Sequence, residues 1–235
     1  MAVENKKISE FYDNYTDRQE KWGIHIRHRT ILRFLKINGL KRSSTVLEIG
    51  CGIGTLTHLV GKFCKAGNIV AADISSKSIE IAKNKNSQFR NIEFIVSDMS
   101  DFKSKYKFDF IVLPDVLEHI PVDQHKNLFA RIKECTHENS TVVINIPNPP
   151  YLRWAHKHKP ELLQIIDQPL DTCELLNNIC PNDFYLYSLI PYSLGVREND
   201  YQCIVLKRDR YFEYKSTTPL PQFQKSLRKR LAKFY

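Results

Sequence analysis

Glycine is scarce in this chain, with eight residues in 235, and methionine and tryptophan number only two each. No run of about 18 apolar residues occurs, so no transmembrane helix is expected. The stretch MAVENKKISEFYDNY at the start is polar and lacks the apolar centre of a secretory signal. Six cysteines stand at positions 51, 64, 135, 173, 180 and 203 without a Cys-x-x-Cys pair. That spacing argues against a zinc site and against a disulfide framework, and it suits a reducing cytoplasm. No internal repeat or low-complexity segment is present.

What is there begins with a clustering of the rare residue. Gly50, Gly52 and Gly54 stand at alternate positions, directly after the apolar run Val46–Ile49. They are followed by Leu56, Leu59, Val60 and Phe63, which have the spacing of an amphipathic helix. Strand, glycine turn and helix in this order offer bare backbone and the free N–H groups of a helix start to a polar ligand.

Further alternation follows. Ile69–Ala72 reads as a second strand ending at Asp73, with Ser75 or Ser76 capping the next helix. Ile92–Val96 reads as a third, ending at Ser97, Asp98 and Met99, and Phe108–Leu113 as a fourth, followed by Asp115-Val116-Leu117-Glu118-His119. A helix over about 122–135 leads to a fifth strand at 141–146. The pattern predicts an α/β fold with a doubly wound, mainly parallel sheet and ligands at the carboxyl ends of its strands. Two last strands near 185–190 and 201–206 are expected as an antiparallel hairpin, making seven.

At Glu48 and the glycine turn the chain resembles the S-adenosylmethionine (SAM) dependent methyltransferases of the Rossmann-like class, over roughly residues 30–208. The Asp115–His119 segment resembles the small-molecule group of that class. The resemblance implies SAM as cofactor, held by Glu48, Gly50, Gly52, Gly54, Asp73, Ile74, Asp98, Met99 and Leu113. Asp73 is suited to the ribose hydroxyls, Asp98 to the adenine amino group, and Met99 and Ile74 to the two faces of the ring. It implies three parts: a helical cap over 1–45, a core over 46–208 containing a lid insertion at 148–183, and a tail over 209–235. Asp171 and Glu174 are expected to form a capping box inside that lid.

For the chemistry, His119 is the candidate general base, because its ordinary pKa near 6.5 suits proton removal from a hydroxyl. In some relatives a histidine here pairs with a tyrosine of the N-terminal segment, which singles out Tyr15, with Tyr12 beside it. Tyr12, Tyr151 and Trp154 are candidate acceptor contacts, and Glu118 is expected to orient a neighbour. The expected reaction is O-methylation of a small metabolite such as a sugar or glycan precursor. N-methylation of a small amine or amino sugar is the alternative. Asn148-Pro149-Pro150-Tyr151 matches the signature of nucleic-acid and protein-amide methyltransferases, but it follows the fifth strand rather than the fourth and reads as a strand exit. His156 and His158 have no ligand-spaced partners, so no metal is expected.

The net charge of +9 is concentrated: residues 207–235 carry +7 of it. Over 222–235 Phe223, Leu227, Leu231 and Phe234 share one arc of a helix, with lysines and arginines elsewhere. Such a segment can dock on its own domain or a second copy, lie on an anionic membrane surface, bind nucleic acid, or stay disordered, with docking expected first, the membrane surface second and nucleic acid a minority reading. The location expected is cytoplasmic, with peripheral contact at the inner membrane surface in the second case.

Overall fold

The computed structural model describes residues 23–164 and 166–209. Tyr12, Tyr15 and the helix expected over 222–235 lie outside them.

The sheet has seven strands in the order β3-β2-β1-β4-β5-β7-β6. They are β1 (Val46–Ile49), β2 (Ile69–Asp73), β3 (Ile92–Val96), β4 (Phe108–Pro114), β5 (Thr136–Pro147), β6 (Phe184–Tyr192) and β7 (Tyr201–Arg208). The first five run parallel, and β7 inserts antiparallel between β5 and β6. All four residues of β1 are buried, as a central strand covered on both faces requires. The chain winds outward from β1 to β2 and β3, then crosses to β4 and β5. The strand order therefore reverses between β1 and β4, where doubly wound sheets leave a crevice.

Among the described residues six helices flank the sheet: α1 (Ile26–Ile37), α2 (Thr55–Phe63), α3 (Ser76–Lys85), α4 (Val122–Glu134), α5 (Pro149–His158) and α6 (Thr172–Ile179). Alternation along the strands sorts their side chains. Val46, Phe110, Val112 and Val143 pack with Ile31 and Leu35 of α1 and Leu56 and Val60 of α2. Leu47, Ile111, Leu113 and Ile144 pack with Phe129 and Ile132 of α4 and Leu175 and Ile179 of α6 on the opposite face. Helix α3 starts where expected, with Ser75 Oγ accepting the N–H of Ser78 at 3.0 Å.

Two local expectations are corrected. Strand β5 begins at Thr136, not 141, because Thr136 pairs with Phe108 ahead of a register shift that leaves Glu138 and Asn139 exposed. The capping box at α6 does not form, since Asp171 turns its carboxylate to Arg153 Nη1 at 3.0 Å instead of to its own helix. The strand exit at 148–151 follows β5 directly and leads into a helix: Asn148 is the N-cap of α5 and Pro149 takes its first position, where a missing N–H costs nothing. Within 148–183 only the part as far as Asp167 reaches the crevice, while α6 belongs to the core.

Candidate active site

The carboxyl ends of β1 to β4 open into one cavity of about 930 Å³, toward the upper end of the roughly 300–1,000 Å³ usual for ligand sites. The glycine turn forms one wall. Gly50 has φ 76° and a Cβ there would lie 2.0 Å from Val116 Cγ2, so the bare backbone is required both by conformation and by space. Asp73 ties the turn in place: its Oδ2 accepts the N–H of Gly52 at 2.7 Å and its Oδ1 that of Ser75 at 2.9 Å. Glu48 differs. It is 1% exposed and lines the cavity, with the Thr57 hydroxyl as the side-chain donor beside its carboxylate. Burial pushes its carboxyl up to about 8.

The next wall holds Ile74, Asp98, Met99 and Ser100. Asp98 Oδ1 accepts both the N–H and the hydroxyl of Ser100, at 2.9 and 2.6 Å. Met99 is buried and adopts φ 68°, a left-handed conformation unusual for a side chain of this length, and it lines the cavity. Leu113 does not. It is fully buried among Ile111, Ile144 and the α4 residues, because its place in the alternation of β4 points it into the core.

Beyond β4 lies a denser polar group. Asp115 takes φ 55°, held by its N–H donating to Asn145 O at 2.8 Å. Its carboxylate meets Arg27 Nε at 3.0 Å and accepts from Asn145 Nδ2 at 3.1 Å. Arg27 Nη1 donates to the Tyr201 hydroxyl at 3.0 Å, and the hydroxyl of Tyr192 donates to Asn145 Oδ1. Arg27, Asp115 and Tyr201 line the cavity. Nothing in the local sequence marks Arg27 or Tyr201 as site residues: they are brought together from positions 174 apart by packing of α1 on the β7 end of the sheet.

Leu117–His119 form a single 3₁₀ turn, and the chain after α5 folds across it. The carbonyl of Ile166 meets His119 Nδ1, Asp167 Oδ1 lies 3.5 Å from the same nitrogen, and Gln168 N–H donates to Glu118 O at 3.0 Å. His119 Nε2 faces Glu118 Oε1 at 3.8 Å. Burial outweighs the nearby Asp167 carboxylate and holds the imidazole below its ordinary pKa, so the ring is neutral at neutral pH. With Nδ1 against a carbonyl, that nitrogen carries the proton and Nε2 is the basic atom. His119 lines the cavity. Asp167 and Gln168 carry no sequence signal for this placement, since their role comes from a fold-back of nearly 50 residues.

Tyr151 lines the cavity, but Trp154 does not. Trp154 is 46% exposed and stacks instead on Tyr151 and His158, at 6.0 and 5.3 Å between ring centroids. Asn148 is also outside, its Nδ2 donating to Asn199 O at 2.8 Å. His156 and His158 bond to different backbone carbonyls, of Asp167 and Trp154.

Comparison with known proteins bears on this arrangement. Residues 46–139 match the family pattern described as a methyltransferase domain. The chain is 31% identical over 100 residues to the malonyl-[acyl-carrier protein] O-methyltransferase 1 of Ilyobacter polytropus, covering 43% of this chain and 35% of that protein. It is 31% identical over 124 residues to the ribosomal protein L11 methyltransferase of Thermotoga petrophila, covering 52% and 44%. The chain thus spans less than half the length of these two relatives. Among solved structures, magnesium protoporphyrin IX methyltransferase from Synechocystis PCC 6803, with bound S-adenosylhomocysteine (SAH), superposes with a TM-score of 0.70 at 16% identity, over 87% of this chain and 99% of that one. The fold is the Rossmann-like methyltransferase fold.

Proposed function

We propose that the protein is a SAM-dependent methyltransferase acting on a hydroxyl of a small metabolite, with His119 as general base. The observation that carries this reading is one cavity lined by Glu48, the glycine turn, Asp73, Asp98 and His119, at the carboxyl ends of consecutive strands. The methyltransferase-domain match over 46–139 and the O-methyltransferase among the relatives support it.

The residues fit the cofactor. Glu48 presents a buried carboxyl group at the cavity wall with no cation paired to it among the described residues, which a positively charged ligand would satisfy. Asp73 and Asp98 each offer carboxylate oxygens at the cavity wall, and Ile74 and Met99 supply apolar surface between them. SAM, when bound, supplies an activated methyl group. What remains for the chain is to hold an acceptor in line and to take its proton. His119 Nε2 can accept that proton, and the resulting imidazolium faces Asp167 and Glu118 at 3.5 and 3.8 Å. The segment carrying Ile166 and Asp167 lies against the ring, whose side chain is 9% exposed.

The planar-amide alternative at Asn148 loses support because that side chain is engaged with Asn199 outside the cavity. The test is transfer of labelled methyl from SAM into an extract separated into polar metabolites, lipids, nucleic acid and protein. Label in the polar metabolites is the expected result. Label only in protein or nucleic acid would overturn it.

A further inference from the structure

The cavity divides by origin. One part is built from the ends of β1, β2 and β3, and the other from the β4 exit, the start of α1, the 151–167 segment and the start of β7. In the second part, which the proposed function leaves to the acceptor, the charges are unbalanced. Asp115, Glu118 and Asp167 face the space, while of the two guanidiniums lining the cavity Arg27 is already paired to Asp115 and Arg131 to Glu134. His28, also on this wall, is pulled down to about 4 by burial and is neutral. Asp200 is engaged by the N–H groups of Leu194 and Gly195, at 2.7 and 2.8 Å.

Glu118 stands out within this group. It is 2% exposed, it lines the cavity, and its Oε2 has no hydrogen-bond partner among the described residues. A buried carboxyl oxygen without a partner costs free energy that a donor on a ligand can recover. Burial first, and the neighbouring Asp115 second, hold its proton well above the usual carboxylate range. A carboxylate or phosphate brought here would meet three acidic side chains. An ammonium would meet a complementary site.

We infer that the acceptor carries a protonated amino group that docks on Glu118, close in its skeleton to the hydroxyl presented to His119. The 3.8 Å between Glu118 Oε1 and His119 Nε2 suits adjacent substituents, as in a 1,2-amino alcohol or an amino sugar. This rests on the proposed methyltransferase reading and narrows its substrate class.

The experiment uses polar metabolites from a cell extract as acceptor pool, in two portions. One is N-acetylated with aqueous acetic anhydride and then treated with hydroxylamine to remove esters, and the other is mock-treated. Each is incubated with the full chain and methyl-labelled SAM, and SAM binding to the protein is measured separately by calorimetry. N-acetylation is expected to lower incorporation at least tenfold. In the Glu118→Gln protein the apparent KM for the mock-treated pool is expected to rise at least tenfold, with SAM affinity within threefold of the native value. Undiminished incorporation after N-acetylation would overturn the inference and leave the methyltransferase reading standing, and so would an unchanged KM in Glu118→Gln. Failure of the native protein to bind SAM would overturn both.

Discussion

His119 Nδ1 lies against the carbonyl oxygen of Ile166, a residue 47 positions later in the chain. That contact assigns the proton of the neutral ring to Nδ1 and leaves Nε2 as the basic atom, so a backbone group decides which nitrogen can act. Removal of a general base lowers rate by about 10²–10⁴. His119→Ala is therefore expected to reduce kcat by at least a hundredfold while SAM affinity, measured by calorimetry, stays within threefold. Because burial lowers the imidazole pKa, the acid limb of the kcat profile should lie below pH 6.5, with no His119-dependent change above it. Retention of most of the rate in the alanine variant would remove the base from the reading.

Glu48 supplies a second prediction, in which stability and binding move in opposite directions. Its folded-state pKa, pushed up to about 8, stands above the ordinary carboxylate value. The folded state thus holds the proton more tightly, and this contribution to stability is present at low pH and fades as pH rises toward 8. Ligand-free Glu48→Gln should melt higher than native protein at pH 8.5, with the gap closing by pH 5. Its SAM affinity should fall about tenfold, equal to about 1.4 kcal/mol. A melting difference of the same size at both pH values would contradict the titration.

The parallel strands were legible because they are short runs rich in apolar residues: β1, buried along its whole length, and β3, the half-covered edge strand, run as read, and β4 extends by one residue to Pro114. Glu48, Asp73 and Asp98 were legible for the same reason, being the residues at or near which those runs stop. The start of β5 was not, since its first residues, Thr136-His137-Glu138-Asn139-Ser140, are polar and are held by long-range contacts such as Ser140 Oγ to Phe108 O. Leu113 was misplaced although parity could have corrected it: it shares the face of Ile111, which packs under α4. Asp171 illustrates the limit of local signals. Its capping pattern is correct for an isolated helix, and Arg153, eighteen residues earlier, takes the carboxylate.

Gly50 and Val116 give a prediction that separates backbone from packing. A Cβ at Gly50 would sit 2.0 Å from Val116 Cγ2, at a φ that costs an L-residue about 1–2 kcal/mol. Gly50→Ala is expected to destabilise by about 2–4 kcal/mol once the overpacking is added. Val116→Ala in the same chain should restore the packing share and not the conformational one. A double-mutant cycle read by denaturant melts should therefore show coupling of about 1 kcal/mol or more. Additive effects would mean that Val116 moves aside without cost.

Arg27 and Asp115 provide the last test, because their pair is half in water and half in the protein. The side chains are 31% and 13% exposed, so the full 3–5 kcal/mol for breaking a buried pair does not apply, and about 1–3 kcal/mol is expected for Arg27→Met. The two ends of the pair should respond differently. Asp115 sits at φ 55°, which asparagine tolerates and alanine does not, so Asp115→Asn should lose the charge alone while Asp115→Ala adds backbone strain. The expected order of stability is native, then Asp115→Asn, then Asp115→Ala, with the two variants about 1 kcal/mol apart. In the Arg27→Met background Asp115 is left with Asn145 but no cation. Removing its charge there should recover stability, so Arg27→Met with Asp115→Asn should be more stable than Arg27→Met alone. If the double variant is instead the less stable of the two, the pair is held by its hydrogen bonds and not by its charge.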